Sequence, residues 1–385
     1  MADKFPSTFV DKKSGEIKTF QTFREKIENE YLPEAGHIAL LGVKVAMLAP
    51  FVGGPLVAVP AALGIWALGR YAMTKVVDYI HEKQLLEHKR GDFTEFDFTQ
   101  AGDRKLFAQK FGKAHANFPD EYLHMVKAAK LEETPKVFVI EQFFKRGGRQ
   151  TLGGLVSDWM AGTTSRPTGK DPVIMLGKGA LGDLNAGELR AVVAHEMTHL
   201  KLSHPKNSVK WQGRMPLNSA VNVALVAAAI IGPLPLLPVL GVVVASNLIG
   251  RALKSIKSRH QEEMCDRGAA LLTGGTGDLK TALGKIRNAM TKMQNIEVEY
   301  IYRKQGLDPP EPSKPGFFTR FVNGTHPSNE RREKLLNKFE KKHSVYTADK
   351  RSFFTRAFNK IAPRSAQPPK AAAIIPPKSG GPIPT

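Results

Sequence analysis

Two histidines and a glutamate in the middle of the chain have the spacing of a zinc-binding helix. They form the run His195-Glu196-Met197-Thr198-His199, in which the histidines are four residues apart. On a helix this spacing puts both imidazoles on one face, where they can hold a single zinc ion. Glu196 is then able to take a proton from a water molecule that the metal activates. The alternative is a half-exposed helix with two unrelated histidines.

A catalytic zinc ion usually has three protein ligands, so a third ligand is required. His204 follows His195 by nine residues, about 900° around a regular helix, and we expect it to be a solvent-facing residue at the helix end. Glu262 is the better candidate, since Arg259 and Asp266 can share its helix face. We expect Asp266 to accept a ring N–H from a ligand histidine, with Arg259 close behind the site. The alternative for this stretch is an ordinary charged helix face.

A third polar group contains Thr325-His326-Pro327 and, shortly after it, Arg331 and Arg332. We expect His326 or Arg332 to lie near the zinc, where either could stabilise a tetrahedral oxyanion. The choice between the two arginines stays open. The alternative is a capped surface helix with a basic stripe.

Several local patterns predict the elements that position these residues. Asn185 and Glu188 have the spacing of a capping box, which predicts the start of the His-Glu-x-x-His helix. The apolar runs 137–140 and 173–176 predict short strands. The intervening residues 146–170 are rich in Gly, Ser and Thr, and predict a loop or an edge strand.

Two long apolar stretches flank this region. Residues 38–69 contain one charge, Lys44, and residues 215–250 contain none. Each has a Pro/Gly-rich centre, so each predicts a helical hairpin of two short membrane spans. The alternative is a pair of buried hairpins in a soluble protein.

Taken in order, these motifs resemble those of the HtpX-like zinc endopeptidases, in a gluzincin group that also contains the CAAX prenyl proteases and the mitochondrial Oma-type proteases. The resemblance covers roughly residues 134–335. It implies one Zn²⁺ per chain bound by His195, His199 and Glu262. It also implies Glu196 as general base, Asp266 behind the ligands, and His326 with Arg332 assisting the transition state.

The expected fold class is mainly α with a small β-sheet, that is, α+β. The resemblance implies a metalloprotease domain over residues 133–345, with the second hairpin inserted between the zinc-ligand helices. The other expected regions are a polar N-terminal segment (1–37), the first hairpin (38–69), a helical region (70–132) and a basic, Pro-rich, largely disordered tail (346–385).

Two features bear on the substrate. Relatives often carry an Asn-Ala-x-Ala strand beside the active site, whereas residues 155–161 here read Leu-Val-Ser-Asp-Trp-Met-Ala, so substrate preference cannot be transferred. We expect an extended peptide to add to the edge of the small sheet. The single cysteine, Cys265, excludes an internal disulfide and is interpreted as small helix packing.

The charge distribution indicates an orientation. The 385 residues include 56 Lys and Arg against 36 Asp and Glu, a net charge of +20. Residues 251–385 have 26 basic and 12 acidic side chains, a net charge of +14, whereas the first 37 residues have a net charge of −1. Basic segments beside uncharged spans favour the cytoplasmic side. We therefore expect a multi-pass protein of the bacterial cytoplasmic membrane whose protease domain faces the cytoplasm.

The sequence thus predicts a membrane zinc metalloendopeptidase that acts on protein or peptide substrates, contacts lipids and serves membrane protein quality control. The last role comes from the resemblance. One alternative is a non-catalytic membrane scaffold that retains zinc. A nucleic-acid-binding protein is another, but only 8% of the residues are aromatic and no recognised binding motif is present, so no nucleic acid is expected.

Overall fold

The computed structural model of the chain describes most of its central part. The described residues are 7–11, 14–20, 27, 32–51, 93–140, 145–146, 149–150, 161–166, 169–205, 215–231, 235–309 and 327–341, with scattered helical positions between 60 and 82. They form a mainly helical protein with small β-sheets, which confirms the predicted fold class. The tail 346–385 lies outside the described residues.

The elements are named here in chain order. The strands are β1 (Ser7–Val10), β2 (Ile17–Phe20), β3 (Phe93–Phe96), β4 (Lys136–Ile140), β5 (Lys145–Arg146), β6 (Arg149–Gln150), β7 (Ala161–Thr164) and β8 (Val173–Gly177). The helices are α1 (Leu32–Leu48), α2 (Ala101–Phe111), α3 (Phe118–Ala129), α4 (Lys178–Asp183), α5 (Ala186–Lys201), α6 (Met215–Ile231), α7 (Leu236–Thr273), α8 (Gly277–Lys304) and α9 (helical residues 329–341).

The largest described sheet has four strands in the order β3-β4-β8-β7. The two predicted strands form its centre, where β4 and β8 are parallel and Val137 pairs with Ile174. Their side chains are largely buried, which explains why both strands read as continuous apolar runs. β7 pairs antiparallel with β8 and lies at one edge of the described sheet, so part of 146–170 is an edge strand.

The segments 1–37 and 70–132 contain strands that were not predicted from the sequence. β3 interrupts the expected helical region 70–132, because its residues pair with β4 and Phe96 packs among the rings of Phe98 and Phe107. The expected polar segment 1–37 contains β1 and β2 and the first turn and a half of α1. The β1–β2 hairpin packs on α7, where the Thr8 hydroxyl donates to the carbonyl of Met264 at 3.3 Å.

The helix α5 begins as its sequence predicts. The backbone N–H of Glu188 donates to Asn185 Oδ1 at 2.9 Å, and the N–H of Asn185 donates to Glu188 Oε2 at 2.8 Å. Both halves of the capping box are therefore present. Most residues of α5 are buried, because α7, α8, α3 and the sheet pack around it.

α5 and α7 approach closely at one glycine. A Cβ atom on Gly268 would lie 2.3 Å from Cγ2 of Thr198, so no larger residue fits without moving a helix. Thr198 is itself fixed, since its hydroxyl donates to the carbonyl of Ala194 at 2.8 Å. The distance between the two helices is thus set by the absence of a side chain at residue 268.

The apolar stretches are helical where the structure describes them. α1 is followed by a 3₁₀ turn at Ala49–Phe51, and most of the return of the first hairpin lies outside the described residues. α6 and the beginning of α7 form the arms of the second hairpin. The whole of α7 is one unbroken helix of 38 residues, so it carries both an apolar arm and Glu262. Of the described helices, α7 alone is long and apolar enough to cross a membrane; α1 and α6 contain the shorter apolar runs Ile38–Leu48 and Val221–Ile231.

A polar cluster joins these three helices. Lys44 on α1 is fully buried, and its Nζ donates to Oδ1 of Asn218 and, at 2.7 Å, to Oδ1 of Asn222 on α6. Both asparagines donate in turn to Oδ1 of Asn247 on α7, at 3.2 and 3.3 Å. Lys44 is the single charged residue of the two apolar stretches. Its hydrogen bonds link α1 to α6, and the two asparagines link α6 to α7.

Candidate active site

His195, His199 and Glu262 converge on one point. Nε2 of His195 lies 3.1 Å from Nε2 of His199. The carboxylate of Glu262 faces both rings, with Oε2 at 3.4 Å from His195 Nε2 and Oε1 at 3.5 Å from His199 Nε2. The three side chains come from α5 and α7, whose close packing brings them together.

This arrangement fits a zinc ion. Metal–ligand distances of about 2.0–2.2 Å in tetrahedral geometry separate the ligand atoms by about 3.3 Å, close to the three distances observed. The Nδ1 atoms of both histidines have neighbours elsewhere, Asp266 for His195 and His204 for His199. Both Nε2 atoms can therefore bind the same metal ion beside the Glu262 carboxylate.

The electrostatics of the cluster also suit a cation. Burial by itself lowers the pKa of His195, but hydrogen bonds and charge from Asp266 and Glu262 outweigh burial and raise the pKa to about 10. The two carboxylates thus stabilise positive charge where the ligand atoms meet.

Asp266 and Arg332 form a buried pair behind the ligands. Oδ1 of Asp266 lies 3.0 Å from Nδ1 of His195, and Nε of Arg332 donates to Oδ2 at 2.8 Å. Burial raises the pKa of Asp266, but the charge and hydrogen bonds of Arg332 and His195 lower it overall. The guanidinium also lies 3.7 Å from Glu262. Arg332 is therefore engaged with the acidic residues of the site, and its direct action on an oxyanion stays a prediction.

The neighbouring arginine has a different partner. Nε and Nη2 of Arg331 contact Oε1 of Glu263 at 3.1 and 2.9 Å, and Arg331 does not line the cleft described below. Arg259 also lies outside the cleft lining. Burial, and then the charge of Arg331, lower the pKa of Arg259, whereas the charge of Glu263 raises it by less. The described contacts thus associate Arg332, and not Arg331, with the candidate ligands.

A cleft of about 640 Å³ opens onto the cluster. Glu196, which is buried, lines it beside the three candidate ligands. One side of the cleft contains Ala161, Gly162 and Thr163 of the edge strand β7. The helix α8 contributes the apolar residues Leu279, Leu283, Ile286 and Met290 to the lining, together with the polar residues Arg287 and Thr291. The helical spacing of the four apolar α8 residues was visible in the sequence but was not interpreted as part of the site.

The predicted residue His326 lies outside the described residues, as do 155–160 of the region compared with the Asn-Ala-x-Ala strand. Pro327, directly after His326, lines the cleft. Cys265 is a buried helix residue, and burial raises the pKa of its thiol well above the usual value, which agrees with a packing role.

His204 was expected to face solvent, and this expectation is wrong. His204 is buried and lines the cleft, with its Nδ1 at 2.9 Å from Nδ1 of His199. Burial, and then the charge of His199, lower its pKa well below the usual value. The expectation assumed that the helix continues through residue 204, whereas α5 ends at Lys201 and the backbone then turns.

Comparison with known proteins finds similarity over the region that contains this site. The sequence profile of Peptidase family M48 matches residues 166–340. Protease HtpX homolog 2 of Methanosarcina acetivorans is 30% identical over 203 residues, which cover 46% of this chain and 63% of that protein. Protease HtpX homolog of Moorella thermoacetica is 30% identical over 205 residues, 45% of this chain and 61% of that protein. The chain therefore matches less than two thirds of the length of these curated relatives. No solved structure matches it.

Proposed function

Since residues 166–340 match peptidase family M48 and the chain is similar to HtpX homologues, we propose that it belongs to this family and is a zinc-dependent endopeptidase that hydrolyses peptide bonds of protein substrates. The observation that carries the proposal is the convergence of His195, His199 and Glu262 beside Glu196 in one cleft. These three residues would be the ligands of one Zn²⁺ per chain.

Each side chain of the site has its own proposed role in hydrolysis. Zinc, when bound, supplies a Lewis acid that polarises the scissile carbonyl and acidifies a water molecule. Glu196 takes the proton of the attacking water and gives it to the leaving amine. Asp266 orients the ring of His195 through its Nδ1, and Arg332 holds Asp266 in turn. His326 and Arg332 are the proposed partners of the transition-state oxyanion.

The cleft favours an extended peptide. β7 has one described partner, β8, so its other edge can pair with substrate backbone. Main-chain pairing gives little sequence selectivity. The apolar residues that α8 contributes to the cleft lining suit an apolar substrate side chain.

We also propose that the protein is embedded in the cytoplasmic membrane with its zinc site on the cytoplasmic side, and that it degrades damaged membrane proteins. The apolar part of α7 supports a membrane location, since only 11% of its most apolar window is buried. The basic excess of residues 251–385 supports this orientation.

The catalytic proposal is tested with Glu196→Gln in the full-length, detergent-solubilised protein. We expect one zinc per chain in wild type and variant, and casein hydrolysis reduced by roughly 100-fold or more in the variant because the general base is lost. Glu121→Gln is the matched control, since Glu121 pairs with Arg190 outside the cleft lining. Wild-type hydrolysis by a zinc-loaded Glu196→Gln variant contradicts the mechanism. Zinc-loaded wild type that hydrolyses nothing in any detergent favours the scaffold alternative.

A further inference from the structure

One buried histidine has no part in the mechanism above. His204 contacts the candidate ligand His199 through the two Nδ1 atoms, 2.9 Å apart, and Cys265 Sγ lies 3.4 Å from the same Nδ1 of His204. The rings of His199 and His204 have centroids 4.9 Å apart at 75°. His204 is thus held between a candidate ligand on α5 and the helix α7.

The backbone after α5 explains how His204 reaches this position. The helix closes with the N–H of Leu202 donating to the carbonyl of Thr198 at 2.9 Å. Ser203 then has a φ of +57°, in the left-handed region. This single residue turns the chain, so that the side chain of His204 returns toward His199 instead of continuing around the helix.

The hydrogen-bonding requirements of a metal-binding imidazole assign His204 a role. A neutral histidine that binds metal through Nε2 carries its proton on Nδ1, and that N–H needs an acceptor. His195 has such an acceptor in Asp266, at 3.0 Å. For His199, the neighbour at Nδ1 is Nδ1 of His204, at 2.9 Å. Nδ1 of His204 can accept this N–H when the proton of its own ring is on Nε2.

We propose that His204 is a positioning residue that accepts the Nδ1–H of His199 and so directs the Nε2 of His199 at the zinc. This inference rests on the proposed zinc site. The two candidate ligand histidines would then be oriented by different groups, a carboxylate on α7 for His195 and a neutral imidazole just beyond α5 for His199.

A competing arrangement uses the same atoms. His199, His204 and Cys265 offer ligand atoms within 4.8 Å of one another and could hold a second metal ion. In that case His204 would be a ligand, and its loss would remove one metal from a chain that binds two. Metal stoichiometry therefore separates the two arrangements.

The test compares His204→Asn with His204→Phe in the full-length protein. The Asn side chain can present its amide oxygen near the position of Nδ1, whereas Phe fills the space without an acceptor. His115→Phe is the matched control, because His115 is also buried and its ring Nε2 contacts the carbonyl of Leu181 at 3.0 Å, outside the cleft lining. Zinc affinity is measured by competition with a chromophoric chelator, and Co²⁺ substitution reports the ligand geometry.

We expect His204→Phe to weaken zinc binding by roughly 10- to 100-fold and to alter the Co²⁺ spectrum. His204→Asn should recover most of the affinity, and His115→Phe should leave it unchanged even if it lowers the melting temperature. Equal losses in His204→Asn and His204→Phe, unchanged affinity in His204→Phe, or two metals per wild-type chain would overturn the inference.

A backbone variant keeps the inference testable if His204→Phe does not fold. Ser203→Gly tolerates a positive φ, whereas Ser203→Val disfavours it. We expect Ser203→Val, and not Ser203→Gly, to weaken zinc binding although His204 is intact; equal affinities would count against the inference. Wild-type protein that binds no zinc would instead contradict the proposed function itself, which distinguishes the two failures.

Discussion

Arg331 and Arg332 are adjacent in the sequence but contact different acids. Arg332 is buried and holds Asp266, which contacts the candidate ligand His195. The side chain of Arg331 is 46% exposed and pairs with Glu263. Because successive helical residues point about 100° apart, a change of one position selects another partner on α7. The two arginines therefore differ in their acidic partners on α7.

Replacing each arginine by methionine tests this difference. We expect Arg332→Met to destabilise the protein by about 3–5 kcal/mol, because it leaves the buried Asp266 without its cation. It should also weaken zinc binding by roughly 10-fold or more, since Asp266 no longer orients His195 firmly.

Arg331→Met is the comparison and should leave zinc affinity unchanged. The measurements are chelator competition and denaturant unfolding of the purified protein. Equal zinc affinities in Arg332→Met and wild type would contradict the assignment.

At the scale of elements, the site depends on the contact between α5 and α7. α5 supplies the two histidines and Glu196, and α7 supplies Glu262 and Asp266. They approach closely at Thr198 and Gly268, where a Cβ would overlap the threonine side chain. The ligand distances therefore follow from helix packing as well as from the residues that bind.

A methyl group at residue 268 tests this dependence. We expect Gly268→Ala to destabilise the protein by about 1–3 kcal/mol, because the helices must separate to admit it. The same separation should move Glu262 from the histidines and lower zinc affinity.

Gly284→Ala on α8 is the matched control, since its Cβ would meet nothing within 4 Å. It should stabilise the helix by up to about 1 kcal/mol. Both variants are compared by thermal unfolding and by zinc titration; a Gly268→Ala protein with wild-type stability would refute the packing argument.

At the scale of the whole molecule, α7 contains both Glu262 of the proposed zinc site and an apolar arm. The 17 residues of α6 rise about 25 Å, somewhat less than the roughly 30 Å hydrocarbon core. Several large apolar side chains on α6 and α7 are exposed, among them Val223, Ile230, Leu237 and Val244. The cluster around Lys44 holds the arms to α1 by hydrogen bonds across three helices.

Carbonate extraction of membranes tests the integration of these helices. We expect the wild-type protein to stay in the membrane pellet, because its exposed apolar arms are solvated by lipid. The triple variant Val223→Asn, Leu237→Asn and Val244→Asn should be partly released.

Leu106→Asn is the control, since Leu106 is an exposed apolar residue on α2, outside the apolar arms. It should remain in the pellet. Release of the wild-type protein into the soluble fraction would rule out spanning helices.

The sequence by itself determined what depends on local spacing. The four-residue interval of His195 and His199, the capping box at Asn185, and the shared face of Glu262 and Asp266 follow from regular helix geometry, and each is present in the structure. The two central strands were predictable because burial on both faces makes them continuously apolar.

Only the tertiary structure decided what depends on breaks in that regularity or on contacts distant in sequence. His204 lies beside His199 because α5 ends early and Ser203 takes a positive φ, which no periodic extrapolation contains. Arg332 and Arg331 could be distinguished only from the contacts that α9 makes with α7. β3 was not predicted from the sequence because its pairing with β4, some 40 residues later, overrides its local preferences. Spacing along the chain thus fixed which residues share a helix face, and packing between helices decided which of them meet.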